Sequence, residues 1–387
     1  MRHAIQTFLK AFNNIGIGNK SLYTNRAIDI VERSIPLAVG IDPVWIYNYT
    51  LQSDGSKILE NCATGLILNR YCDIVSTQIE RYYDIEDSRV ETIDLTSSIV
   101  EKDHGGIDIA IFGYKDYMFM STHRDIFSAI GDTPKTPDTL CMESLYNKLS
   151  DMYTDAYRPF RHFGIDEELH CWIFEFCPGM SINGIDNPIF LKTIIRKDTL
   201  EELSIGDVET FAKEFGFSRP ENYKIYSKTD LINLANTLDI KDPGYNIIDS
   251  NGKRAYYKNK ANVAYTKLVR AGKYVKTHHI ANVVLESTNI SKTIDNLPQY
   301  SQAIRMLHDS LSEILHTLDI AWVANHEAKS RKKFAEGVRT IPFNNMLFDA
   351  YKGKIDFNSC LGAYIKPHKL AQYATEKFGS KLLDSIK

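Results

Sequence analysis

The stretch VEKDHGGIDIAIFGYKDYMFMST, residues 100–122, organises the reading of the whole chain. Lys102 stands just ahead of the pair Gly105-Gly106. Behind the glycines, IDIAIFGY is rich in β-branched and aromatic residues, GYKD supplies turn residues, and YMFMST reads as a returning strand. Glycine carries no Cβ, so the main chain can turn tightly here and a ligand can approach it closely. A lysine before a turn is also a common surface feature, so the neighbours have to decide what this one means.

Outward from that point, VWIYNYTL, TGLILNR and DIVSTQIERYYDI read as strands on the N-terminal side. Residues 138–158, after the breaker run GDTPKTPDT, read as more helical. LHCWIFEFCPG alternates and stops at Pro-Gly, as a strand would. IGDVETFAKEFGF and SKTDLINLANTL are amphipathic helices, and Ser227 or Thr229 can cap the second. Asn251-Gly252 between two strand-like runs predicts a hairpin. Beyond about residue 265 the apolar spacing becomes helical, most clearly in QYSQAIRMLHDSLSEILHTLDIAWVANHEAKSRKKFAEGV. The expected class is α+β, with an antiparallel-sheet domain over residues 1–265 and an all-helical domain over residues 266–387.

Composition limits the function classes. The 387 residues are 43% hydrophobic and 25% charged, ordinary for a globular protein. No run approaches eighteen apolar residues, so a membrane span is not expected. The first 28 residues lack acids and carry Arg2, Lys10, Lys20 and Arg26, as an organellar leader would. However, Ile5, Phe8, Leu9 and Phe12 share one helical face, which favours an amphipathic first helix. Six cysteines without a C-x-x-C pair argue against a zinc ribbon or a disulfide frame, and a reducing cytoplasm is the expected setting. Residues 266–387 hold 18 Lys plus Arg against 11 Asp plus Glu, a net of +7, whereas residues 1–265 hold 28 against 38, a net of −10. A basic C-terminal part suggests a partner that carries phosphates.

The motifs then fall in a fixed order: ATGLILNR, TQIERYYDI, EKDHGG, CWIFEFCPG, DPGYNIID and KRAYYKNKANVAY. This series resembles the bacteriophage RNA ligase 1 family, the ATP-dependent tRNA-repair ligases of the covalent nucleotidyltransferase superfamily. The family pattern runs approximately E-C-R-G-L-I-L, R-P-x-x-K-F-F-N, E-K-x-D-G-S, F-E-F, E-G-Y-V and K-x-K. The resemblance covers nearly the whole chain, including SRKKFAEGVRTIPFNNMLFDAYKGKID, which looks like that family's helical, RNA-contacting domain.

Carried over by position, the resemblance implies a nucleotidyltransferase (ATP-grasp-like ligase) domain in which Lys102 takes AMP from ATP. A lysine attacks a phosphoryl group only as the free amine, which nearby cations or partial burial favour. Arg81 would lie near the nucleotide phosphates. Glu175 would contact the nucleoside or help organise a metal. Lys258, the second lysine of K-x-K, would neutralise phosphates. His104 and Gly105 would line the nucleotide site. Glu175 and Asp242 are the candidates for holding Mg²⁺. The implied partners are ATP and RNA, with tRNA one candidate, and the implied setting is a monomer in the cytoplasm, the host cytoplasm for a viral protein.

Four positions depart from the pattern, namely Thr64, His104, Pro243 and Tyr256, and each lacks a charge the family supplies. Losing such a contact at a phosphate site costs a few kcal/mol, roughly 10²–10³ in rate. Asp103, Asp108, Asp242, Lys253 and Arg254 are the neighbouring charges that can compensate. Two readings follow: a ligase that joins 5′-phosphate and 3′-hydroxyl RNA ends through a lysyl-AMP intermediate, or a degenerate ligase-like protein. The second would bind RNA ends or tRNA without ligating, or pass AMP to another acceptor. Glu175 has a blander reading as the partner of a basic neighbour such as Arg196. Lys258 can equally be an exposed strand lysine, and His278-His279 a helix start. The cluster Lys329, Arg331, Lys332 and Lys333 can be a solvated helix face or an RNA-phosphate contact.

Overall fold

A computed structural model describes residues 28–37, 40–49, 64–71, 73–79, 82–87, 93–115, 117–123, 126–128, 169–177, 180–182, 185–186, 188–250, 252–357 and 364–386. Arg81, the expected first helix and the expected helical segment at 138–158 lie outside the described residues. The chain forms two compact units. The first comprises Met1–Lys228 and Tyr245–Tyr257, and the second Thr229–Gly244 and Lys258–Lys387.

The first unit is built on sheets that are antiparallel except where β5 (Tyr83–Asp84) pairs parallel to β16 (Arg254–Lys258). Numbered along the chain, β1 (Ile28–Leu37), β2 (Gly40–Tyr49), β3 (Thr64–Asn69) and β4 (Ile74–Ser76) form one sheet in that order. A second sheet has the order β13-β10-β7-β8-β9, from β7 (Ile107–Tyr114), β8 (Tyr117–Ser121), β9 (Ile126–Ser128), β10 (His170–Phe176) and β13 (Ile189–Arg196). A small ribbon pairs β11 (Ser181–Ile182) with β12 (Ile185–Asp186). A further sheet has the order β14-β6-β15-β16-β5, from β5 (Tyr83–Asp84), β6 (Ile99–Asp103), β14 (Asn222–Lys224), β15 (Gly244–Ile248) and β16 (Arg254–Lys258).

The apolar run IAIF of β7 follows from burial on both faces. Ile109 and Ile111 pack with Trp172, Phe174 and Leu191, and with Val208 and Ala212 of helix α1 (Ile205–Phe215). Ala110 and Phe112 pack the other way, with Ile173 and with Ile35, Val44, Ile46 and Ile67 of the first sheet. Each such side chain contributes about 1.5–3 kcal/mol when fully buried. The Ser204 hydroxyl caps α1 by accepting from Asp207 N–H, and Gly216 at φ 70° closes it. Gly252 at φ 74° turns the hairpin between β15 and β16, where Asp249 N–H donates to Lys253 O at 3.0 Å.

Two expectations are corrected. DIVSTQIERYYDI is not one strand, because β4 and β5 belong to different sheets. Lys102 does not merely precede a strand, since it lies within β6, a strand of a different sheet from β7.

The second unit is helical: α2 (Lys228–Ala235), α3 (Lys260–Ala271), α4 (Thr277–Glu286), α5 (Ile290–Asn296), α6 (Ser301–Asn325), α7 (Arg331–Val338), α8 (Asn344–Tyr351), α9 (Pro367–Phe378) and α10 (Ser380–Asp384). Helix α6, about 37 Å long at 1.5 Å per residue, buries Ala303, Ile304, Leu307, Ser310, Ile314, Leu318 and Ala321. That three-to-four-residue spacing forms a stripe that packs against α4 and α9. Among the described residues no helix is long and apolar enough to cross a membrane.

Candidate active site

Lys102 ends up beside a crossover. Residues His104–Gly106 carry the chain from β6 in one sheet to β7 in the next. Gly105 takes φ 72°, a left-handed conformation that favours glycine, and its N–H donates to Asp103 Oδ1 at 2.9 Å. Gly106 lies so close to β10 that an added Cβ would sit 2.6 Å from Phe176 O and 2.7 Å from Glu175 Cγ. Gly106→Ala therefore has to push the main chain of β10 aside. The expected cost is about 1–3 kcal/mol, read as a lower denaturation midpoint, and an unchanged midpoint would show that the crossover is looser than described.

Glu175, opposite Asp108 in the β10–β7 register, holds this turn from below. Its Oε1 accepts from His104 N–H at 3.1 Å and Gly106 N–H at 3.0 Å, and its Oε2 lies 3.3 Å from His104 Nδ1. The His104 ring stacks on Phe190 with centroids 4.3 Å apart and planes 9° from parallel. Burial alone would raise the Glu175 pKa. The His104 hydrogen bond, the Lys192 charge and the Gly106 N–H outweigh it and bring the carboxyl down to about 2. A Glu175–Arg196 pair is not present, because Arg196 bonds Asp198 at 3.0 Å.

Around this clamp lies a buried ionic cluster. Lys192 Nζ donates to Asp108 Oδ1 at 2.9 Å, and Tyr256 OH donates to Asp103 Oδ2 at 2.8 Å. Burial opposes the charge of Lys192, but Asp108, Tyr82, Glu175 and Asp103 together push its pKa up, so it remains a fixed cation. Burial and the Glu175 charge raise Asp103. Burial and Asp103 raise Tyr256, which stays a phenol donor. Burial, then Glu175 and Asp103, raise the Cys177 thiol, which removes it as a nucleophile.

The expected site residues distribute as follows. Lys102 is partly buried on β6, and its N–H donates to Glu221 O at 2.8 Å. Strand alternation directs its side chain away from the face shared by Glu101 and Asp103. His104, Gly105 and Glu175 meet in the clamp. Lys258 is exposed and belongs to the second unit. Asp242 also belongs there, and its Oδ2 accepts from Asp239 N–H at 2.8 Å within a local turn. Thr64 is buried in the core and donates to Ile79 O at 2.7 Å, so a hydroxyl that serves packing stands where the family places an arginine. His278 and His279 open α4, where Lys276 N–H donates to His279 Nδ1 at 3.1 Å.

Several members of the cluster were not anticipated: Lys192, Phe190, the pair Glu101–Arg219, and Glu202 as the partner of Arg254. One sequence signal was available. IFLKTIIR places a lysine in the middle of a largely apolar strand, and a lysine buried there needs a carboxylate. Lys192 and the two ion pairs border a cavity of about 620 Å³ whose lining includes Glu101, Lys192, Glu202, Leu203, Arg219 and Arg254. That cavity is not lined by Lys102, His104 or Glu175, so size alone does not mark the crossover. Among the described residues no three His, Cys, Asp or Glu side chains group as a metal site. Glu175, Asp103 and Asp108 are each bonded within the protein, so these carboxylates do not form a resident cage for a divalent cation.

No protein-family model and no curated protein matches the chain. Solved structures similar to it include an archaeal ATP-dependent RNA ligase, at 11% identity and TM-score 0.42, covering 91% of this chain and 74% of that one. A putative ATP-dependent DNA ligase from Aquifex aeolicus aligns at 10% identity and TM-score 0.41, covering 86% and 79%. A Naegleria gruberi RNA ligase mutant with AMP and Mn aligns at 11% identity and TM-score 0.35, covering 48% and 57%.

Proposed function

We propose that the chain is an ATP-dependent RNA ligase-type nucleotidyltransferase that uses Lys102 as its covalent nucleophile. The observation that carries this reading is the clamp: a buried carboxylate fixes the glycine turn immediately after Lys102 through two main-chain N–H groups. Such a turn offers the pre-organised, close main-chain approach that in-line phosphoryl transfer needs.

In the first step the neutral Lys102 amine attacks the α-phosphorus of ATP. A P–N bond forms, the bond to pyrophosphate breaks, and the amine proton leaves to solvent. A 5′-phosphate oxygen of RNA then attacks the adenylyl phosphorus, and the P–N bond breaks. Finally a 3′-hydroxyl attacks the 5′-phosphorus, joins the ends and releases AMP. Arg81 and Lys258 are assigned to the phosphates, His104 and Gly105 to the nucleotide-facing turn, and Glu175 to positioning that turn. Mg²⁺ is assigned only as the ion that accompanies the phosphates of ATP, with no step of its own; such an ion takes one or two carboxylates plus phosphate oxygens. Repair of broken RNA, tRNA among the substrates, is the role this chemistry would serve.

Protein incubated with ATP labelled at the α-phosphate, and Mg²⁺, is expected to take up label through an acid-labile, base-stable bond. A folded protein that never labels would remove the enzyme reading. One observation favours the second reading, a ligase-like protein that binds RNA ends without adenylylation: Thr64 and Tyr256 serve internal contacts where the family has charges. Absent labelling with retained RNA binding is the outcome that selects it.

A further inference from the structure

We propose that the helical unit carries its own pocket for one unpaired nucleotide of an RNA strand. This inference rests on the reading of the protein as one that handles RNA ends, and it concerns a site separate from Lys102. A groove of about 480 Å³, lined by residues including Phe343, Tyr364, Lys366, Lys369 and Tyr373, runs between the start of α8 and one face of α9. Its volume lies within the range of small-ligand sites.

The lining has the composition that single-stranded nucleic acid requires, aromatic faces beside cations. Tyr364 is 46% exposed although it is large and partly apolar. The Phe343 and Tyr373 rings stand 6.1 Å apart and tilted by 59°, which leaves an open aromatic wall. Lys366, Lys369, Gln372 or Tyr373, and Glu376 recur every three to four residues and therefore share one face of α9. Among the described residues, neither Lys366 nor Lys369 has a carboxylate within ion-pair distance. Glu376, the one acid in the lining, already accepts from Gln372 Nε2 at 2.9 Å.

Two local features run against helix preference and point the same way. The start of α9 carries Lys366, His368 and Lys369 with no acid in its first turn, the reverse of what the helix dipole favours. A phosphate bound there would relieve that repulsion. Phe343 holds φ 59°, the left-handed region, which is costly for a bulky residue and orients its ring toward the groove partner Tyr373. Aromatic stacking together with unpaired lysines favours a nucleotide over an acidic peptide, which would use the cations alone.

The test is fluorescence anisotropy of full-length protein with a 5′-labelled, unstructured ten-nucleotide RNA, without ATP. Tyr364→Ala, at a half-exposed position, is expected to weaken binding roughly 5- to 150-fold, the range for one lost base stack, while Tyr364→Trp retains binding. Lys366→Gln with Lys369→Gln should lower the slope of log Kd against log salt by about 1.4. The assay contains no ATP, so its outcome does not depend on adenylylation of Lys102. Binding within twofold of wild type for Tyr364→Ala overturns the proposal. So does displacement of the RNA by polyglutamate to the same extent in wild type and Tyr364→Ala.

Discussion

Lys102→Ala is expected to abolish covalent labelling by ATP, a loss of at least about 10⁴-fold, the scale seen when a nucleophile is removed. Lys102→Arg is expected to be equally inactive although it keeps the positive charge. A guanidinium stays protonated and has no free amine lone pair to form the P–N bond. The pair of variants separates a nucleophile from a cation that merely attracts phosphate. If Lys102 only attracted the nucleotide, the arginine variant would keep its ATP binding and any labelling it supports. Label persisting in both variants would mean that another group carries the adenylyl moiety.

The second large effect concerns stability. Glu175→Ala removes a buried carboxylate and leaves the N–H groups of His104 and Gly106 without their acceptor. The expected cost is about 3–5 kcal/mol, or a fall in Tm of roughly 10 °C for a unit of this size. The pH dependence follows from the lowered carboxyl. Its contribution is fully present above the ordinary carboxylate value of 4.5 and is lost as pH falls toward about 2. Wild-type Tm should therefore drop steeply between pH 5 and pH 2, and Glu175→Gln should flatten that limb. Asp103 acts in the opposite direction, because protonating a carboxyl with a raised pKa relieves a buried charge. Parallel acid limbs in wild type and Glu175→Gln would show that Glu175 does not hold the turn.

Elements governed by local chemistry were readable from the chain. The helical period of α6 and the glycine turn before β16 express rules acting within a few residues, whereas β10, expected to alternate, is buried on both faces because it lies between two cores. β6 was harder to see, because Glu101, Lys102 and Asp103 look like a polar turn until Arg219 and Tyr256 arrive from distant parts of the sequence to pair with the carboxylates. The single-strand reading of residues 73–85 failed because the chain changes sheets there, and sheet assignment is a long-range property. Glu175 was legible as a residue of interest but not as the acceptor for a turn 69 residues earlier. Lys192 was hidden for the same reason, since only the folded sheets bring Asp108 to it.

The threading of the polypeptide limits how the protein can be dissected. The chain leaves the sheet-rich body after Lys228, lends Thr229–Gly244 to the helical body, returns for Tyr245–Tyr257, and only then departs for good. A truncation after Lys228 would strip away β15 and β16, including the strand that flanks β6. Transplanting the helical body onto a relative therefore takes two splices instead of one, and C-terminal deletions reach α2 only after they have removed β16 and β15 from the lysine-bearing sheet.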